Sequence, residues 1–199
     1  MARRANPFDW SGGHPALDLV NTLDERPSGA PIETLATYKA LVNFTELAGL
    51  VAPALAKRLR SLEGLVCTRV VRRARELRED LYEILASIHD ERPVPQGRLD
   101  AIAVDVRRAH AARAFTSRGA SGVITCDWGS PASPEIPLHA CALAVEALLL
   151  SADHSRIRKC GATDCEVYFI DSSKARRRQW CSMKNCGNRE KQRRWRTAR

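Results

Sequence analysis

The chain has 199 residues, 44% of them hydrophobic, and a formal net charge of +9. That length suits one ordinary domain plus a small appendage, and no apolar run is long enough for a membrane-spanning helix. The start, Met1–Phe8, lacks the apolar stretch of a signal peptide, and seven cysteines with one odd thiol fit a reducing cytoplasm better than a disulfide framework.

Taken in order, residues 6–26 open on a Gly-Gly turn, and Leu17, Val20 and Leu23, with Leu19 alongside, then read as a short buried helix. Asp18 and Asn21 lie near its apolar face, where such side chains commonly bond local backbone. Residues 27–31 are a loop. A helix is expected over 32–49, with Leu35, Tyr38, Leu41, Val42 and Leu47 inward and Gly49 closing it. Pro53 opens the next helix, carrying Leu55, Leu59 and Leu62 and stopping at Gly64. The longest helix covers 65–89, with an apolar stripe from Val66 through Val70, Ala74, Leu77, Leu81, Ile84 and Leu85 to Ile88. Its arginines (Arg69, Arg72, Arg73, Arg75, Arg78) read either as a nucleic-acid patch or as a solvated face balanced by Glu76, Glu79, Asp80 and Glu83. The acids at helical spacing favour the second reading.

After a turn at 90–97 comes a helix over 98–114 built on Leu99, Ile102, Val106 and Ala109, with His110 read as a hydrogen-bonded core residue. Residues 114–128 read as one β-hairpin turning through Ser117–Gly122. A Pro-rich loop leads to a strongly apolar helix over 137–153, expected at the centre of a bundle. Cys67, Cys126 and Cys141 read as buried free thiols. The five histidines show no metal-ligand spacing, and no His-Glu-x-x-His, Gly-x-Ser-x-Gly or phosphate loop occurs, so nothing points to an enzyme.

The C-terminal stretch is different in kind. Cys160 and Cys165 are separated by four residues, fifteen more follow, and Cys181 and Cys186 repeat the four-residue gap. Two such knuckles supply the four thiolates of one closed tetrahedral zinc site, structural rather than catalytic. Two disulfides or an iron–sulfur cluster could also use four cysteines, and spacing alone does not fix the metal. Residues 156–199 hold fourteen Lys/Arg against four Asp/Glu, so the rest of the chain is close to neutral. Such an asymmetric basic module is the footprint of a polyanion partner, most simply DNA. Trp180 and Trp195 are interleaved with the arginines and could pack the small core or stack on a base. Val167–Ile170 is expected as a strand, Arg177–Trp180 as its returning partner, and a last helix from about Asn185 to Arg196 puts Arg189, Arg193 and Arg196 on one face. A module this small has too little core to fold without metal.

Cys186-Gly187-Asn188-Arg189, preceded by Asp171-Ser172-Ser173, the Arg176–Arg178 run and Trp180-Cys181-Ser182-Met183, resembles the CGNR zinc finger. Gly12-Gly13, Leu17–Leu23 and Arg26 resemble the start of the ABATE domain usually joined to it. The resemblance implies a stress-induced transcription regulator, with an effector-binding N-terminal domain over 1–154 and a DNA-binding finger over 155–199. The expected fold is mainly α: a helical domain with one β-hairpin, then a small treble-clef-like zinc module of a short hairpin and a C-terminal helix.

The expected metal ligands are Cys160, Cys165, Cys181 and Cys186. The expected DNA contacts are Lys174, Arg176, Arg177, Arg178, Lys184, Asn188, Arg189, Lys191, Arg193, Arg194 and Arg196. Trp10, Asn21, Arg26 and Trp128 are the candidates around an effector pocket. A lone finger binds weakly, so a homodimer is expected. RNA binding through the same module, with Tyr168, Trp180 or Trp195 stacking on bases, is the alternative, and an enzyme carrying a structural finger the more remote one.

Overall fold

The computed structural model describes residues 7–118 and 122–197. They form two compact units: one spans 35–147, and the other joins the first 34 residues to the chain from 148 onward.

The chain begins in the discontinuous unit with α1 (Pro15–Val20), whose N-terminus is capped by His14: the Ala16 N–H donates to His14 Nδ1 at 3.2 Å. β1 (Leu23–Asp24) pairs antiparallel with β2 (Ile32–Glu33) around a 3₁₀ turn at Arg26–Ser28. This short ladder takes the residues with which a helix over 32–49 was expected to begin. The helix, α2 (Tyr38–Leu47), starts later because the Thr37 hydroxyl caps it by accepting from the Ala40 N–H at 3.1 Å.

The continuous unit is helical. α3 (Pro53–Leu59) carries its proline in the first turn, where the missing N–H costs nothing. α4 (Leu65–His89) is the longest element and lies against α5 (Gln96–Ala111). Leu41, Leu59, Ala74, Leu77 and Leu81 are fully buried, as the stripes require, and so is Phe44, which the stripe of α2 left out; Leu47, Val66 and Ile88, expected inward, lie at helix ends and are exposed. β3 (Arg113–Arg118) and β4 (Val123–Trp128) form the expected hairpin, in register from Arg113–Trp128 to Arg118–Val123. Residues 119–121 of its turn lie outside the described residues. α6 (Ile136–Leu149) is buried on nearly all sides over its first half, as its continuous hydrophobicity requires.

The arginines of α4 form the expected solvated face only in part: Arg69 and Arg72 are exposed, with Arg72 3.8 Å from Glu76 at i,i+4, while the others turn inward. Arg78 is buried, and Arg75 donates twice to the Leu35 carbonyl, at 2.7 and 3.0 Å. Arg73 bridges Asp105 at 2.7 Å and Asp80 at 3.3 Å, both acids being buried, while Arg98 closes the network on Asp80 at 2.9 Å. His110, expected in the core, is half-exposed and bonds Glu146 at 2.8 Å.

The chain returns to the discontinuous unit through a 3₁₀ turn at Ala152–Arg156. β5 (Ile157–Lys159) pairs antiparallel with β6 (Tyr168–Ile170), and the first cysteine knuckle connects them. A π-helical turn at Met183–Gly187 leads into α7 (Asn188–Thr197).

The partner of β6 corrects the sequence reading. Arg177–Trp180 is not a strand. The Asp171 carboxylate holds that segment as a loop, accepting from the Ser173 N–H at 2.9 Å and the Arg178 N–H at 3.0 Å. Along β6 the backbone alternates. Val167 and Asp171 turn their backbone groups toward β5 and its flanks, with Cys160 N–H to Val167 O and Asp171 N–H to Arg156 O both 2.9 Å. Tyr168 and Ile170 turn theirs toward the N-terminal segment. Asn21 donates from Nδ2 to the Tyr168 carbonyl at 3.0 Å and accepts from its N–H at 3.1 Å. Ile170 N–H donates to the Gly12 carbonyl at 2.8 Å. One side-chain amide thus stands in for a missing strand, covering an edge that would otherwise be left unpaired.

Gly12 has to be glycine. A Cβ there would lie 2.7 Å from Asp18 Oδ1 and 2.8 Å from Leu17 Cβ. Its N–H donates to the same Asp18 oxygen at 2.9 Å, and burial pushes the Asp18 carboxyl up to about 7.

Candidate metal centre and nucleic-acid interface

The four cysteines of the two knuckles converge. Their sulfurs all lie within 4.8 Å of one another, with Cys160, Cys181 and Cys186 buried and Cys165 partly so. Each knuckle is closed by its own backbone: Cys165 N–H donates to Ala162 O at 3.1 Å and Gly187 N–H to Ser182 O at 3.0 Å. Gly161 N–H reaches across to Gln179 O at 2.8 Å and ties the first knuckle to the second. Val167, Phe169 and Ala162 pack with the cysteines into a core of very few residues, against which Trp180 leans.

The sulfur separations fit a single four-coordinate ion. Cys165 and Cys181 are 3.9 Å apart and Cys181 and Cys186 are 3.5 Å apart. A tetrahedron with Zn–S of about 2.3 Å has edges of about 3.8 Å. Disulfides need about 2.05 Å, and all seven cysteines are free thiols. An iron–sulfur cluster would interpose its own iron and sulfide and spread the thiolates apart.

Without a cation, the sulfurs cannot all ionise. Hydrogen bonds from Cys165 and Cys181 pull Cys160 far below the usual thiol range, and their counterpart pushes Cys165 and Cys181 up, while burial raises Cys186. One zinc ion removes that conflict and leaves no open position, so it is structural. The outer hydrogen bonds fit this: Cys181 N–H donates to Cys160 Sγ at 3.4 Å, and Arg189 Nη2 sits 3.3 Å from Cys186 Sγ and 2.8 Å from Asp164 Oδ1.

The basic residues fall into two groups. Three of those expected on DNA are engaged inside the module. Arg189 serves Cys186 and Asp164. Arg193 donates to the buried Glu190 at 2.7 and 3.1 Å. Arg178 donates to the carbonyls of Trp180 and Cys181, and its guanidinium lies 4.4 Å from the centre of the Phe169 ring. The face shared by Arg189, Arg193 and Arg196 on α7 exists, but two of its three members turn back onto the module. Lys174, Arg176, Arg177, Lys184, Asn188, Lys191, Arg194 and Arg196 are exposed, and Arg189 and Arg193 keep about half of their side chains in solvent despite their partners.

The surroundings are two-sided. A groove of about 780 Å³ beside the thiolates is lined by Asp9, Asp24, Glu25, Asp164 and Glu166 together with Lys184 and Arg189. Along α7, two smaller hollows are lined without any acid.

The effector candidates are dispersed between the two units. Trp10 packs edge-on to Phe8, with ring centres 5.8 Å apart, and Arg26 opens the 3₁₀ turn. Asn21 gives both ends of its amide to Tyr168. Trp128 belongs to the helical unit and lies 6.2 Å from the buried His139. Sequence reasoning missed His139 and Asp105 there. Their Nδ1 and Oδ1 atoms are buried and have no hydrogen-bond partner among the described residues, and neither belongs to a motif that could have flagged it.

Two family models match the chain. The ABATE model, described as "Putative stress-induced transcription regulator", matches residues 13–152, and the CGNR zinc finger model matches residues 156–199. These are the two resemblances carried by Gly12–Arg26 and by Cys186–Arg189. No curated protein matches. No helix among the described residues is long and apolar enough to cross a membrane.

Proposed function

The chain belongs to the ABATE family and carries a CGNR zinc finger, and from that premise we propose that it regulates transcription by binding duplex DNA through the exposed cations of its zinc module. The observation that carries this reading is the separation of charge within the module. Arg178, Arg189 and Arg193 are paired within the module, the last two while half-exposed, and Lys174, Arg176, Arg177, Lys191, Arg194 and Arg196 stand exposed for a ligand, with few acids of the same segment left to neutralise them. Phosphate contacts fix a protein on DNA and make its affinity fall steeply with salt.

The test is fluorescence anisotropy with labelled duplex and single-stranded RNA at two salt concentrations, before and after chelation. Metal-dependent, salt-steep binding to duplex DNA is expected. Preference for the RNA strand would favour RNA binding, and no binding at low salt would overturn both readings.

Control by a small effector is the second part of this proposal. The orphaned His139 Nδ1 beside Trp128, and Asp105 Oδ1 in the same helical unit, are polar atoms that a ligand could engage. A thermal-shift screen of small polar molecules, wild type against His139→Leu, tests it. A stabilisation that the variant loses supports effector control, and none across the set removes it. A homodimer completes the proposal by doubling the contacts, and a monomeric mass at micromolar concentration would exclude it.

A further inference from the structure

We propose that the cleft between the π-helical turn and α7 receives an unpaired nucleobase of the bound DNA. This deepens the DNA-binding reading and rests on it. The cleft measures about 250 Å³ and is lined by Trp180, Met183, Gly187, Lys191, Arg194 and Trp195. A neighbouring hollow of about 310 Å³ shares Lys191 and Trp195 and adds Arg196.

Three observations carry the assignment. The first is aromatic exposure: Trp195 is 69% exposed and Met183 62%, in a module whose buried core is only a handful of residues. A large ring left in water, next to a polarisable thioether, offers a stacking platform. The second is charge. Lys191, Arg194 and Arg196 flank the ring and no acid lines either hollow, whereas the groove by the thiolates carries five. A platform fringed by cations matches a base attached to its phosphates better than it matches an apolar ligand.

The third is size and shape. The cleft falls below the roughly 300–1,000 Å³ of drug-sized pockets and suits one ring system. Its floor depends on Gly187, where a Cβ would come within 2.8 Å of Met183 Sδ and 3.5 Å of Trp180 Cε3. A base stacked within a duplex cannot present its face to Trp195, so the occupant is one freed from pairing, at a bulge, a melted step or a strand end.

The test uses the full zinc-loaded chain and three oligonucleotides of one sequence: a paired duplex, the same duplex with one bulged thymine, and the single strand. Wild type is expected to bind the bulged duplex about tenfold more tightly than the paired one, the scale of one base–aromatic stack, with quenching of tryptophan fluorescence. Trp195→Ala should abolish that gain while keeping zinc content and paired-duplex affinity, and Trp195→Phe should retain most of it. Equal binding of paired and bulged duplexes by wild type, or a gain that survives Trp195→Ala, overturns the cleft assignment and leaves the DNA reading intact. Absence of binding to all three overturns the DNA reading itself.

Discussion

The two compact units use arginine in opposite ways. In the helical unit Arg73, Arg75 and Arg78 are drawn inward, onto Asp105 and Asp80, onto the Leu35 carbonyl, and into the buried face of α4. In the zinc unit Arg156 and Arg178 bond backbone carbonyls of the module, Arg189 and Arg193 pair with Asp164 and Glu190 while staying about half-exposed, and among the described residues most of the remaining cations stay in water unpaired. The difference follows from the company each keeps. Acids from α4 and α5 converge on Arg73, so its charge is satisfied by the fold. The segment from 156 onward has fourteen cations and only four acids, and those acids are already engaged by Arg189, Arg193, Lys159 and the 171–178 loop. A surplus that cannot be neutralised internally is available to a partner. Basic density alone therefore does not mark a surface left open to a partner; the supply of nearby acids has to be counted with it.

The largest expected effect separates what holds each unit. Cys181→Ser should abolish zinc binding, as read by metal analysis, and melt the discontinuous unit while the helical unit stays folded by circular dichroism. Zinc contributes on the order of 10 kcal/mol to modules of this kind. In the helical unit the counterpart is Arg73→Met, which leaves Asp105 and Asp80 short of a buried counter-charge. A loss of about 3 kcal/mol in urea unfolding is expected, with zinc content unchanged. Asn21→Leu removes its two hydrogen bonds to the N–H and C=O of Tyr168 and should cost about 2–4 kcal/mol. Its effect should appear as faster hydrogen exchange in β6, although residue 21 is remote from the finger in sequence.

Asp18 makes the same junction sensitive to pH. Its carboxyl sits at about 7 in the fold because of burial, against an ordinary value of 3.8. The folded state therefore binds the proton more tightly than the unfolded chain does. The stability from that proton is complete below pH 3.8 and is lost as pH rises through 7. Between pH 5 and pH 8 wild type should lose about 2 kcal/mol relative to Asp18→Asn, measured by thermal melts of the two proteins. Superimposable pH profiles would refute this.

The smallest pair of effects divides the two classes of arginine on one helix. Arg193→Ala leaves Glu190 buried without its partner and should cost about 1–2 kcal/mol of stability. Arg196→Ala should leave stability within about 0.5 kcal/mol of wild type yet reduce the salt slope of duplex binding by about one. If both variants lose DNA affinity alike and neither loses stability, the division is wrong.

Much of this molecule could be read in the chain. Two four-residue gaps between cysteines are a local geometric statement, and they converge because each knuckle closes on its own backbone. The stripes of α3 to α6 are equally local, since helical periodicity needs only neighbours three and four residues away. The charge of the C-terminal stretch is a matter of counting. What the tertiary structure decided involves partners far apart in sequence. β6 was expected to pair with the segment just after it. It pairs instead with β5 on one side and with the side chain of Asn21 on the other, because Asp171 holds residues 171–178 as a loop and leaves that edge to a segment 147 residues away. Nor could spacing show that Arg193 and Arg189 point to Glu190 and Cys186 while Arg194 and Arg196 point to water. A helix places residues on faces by sequence alone, but which face is buried depends on what the rest of the chain brings against it.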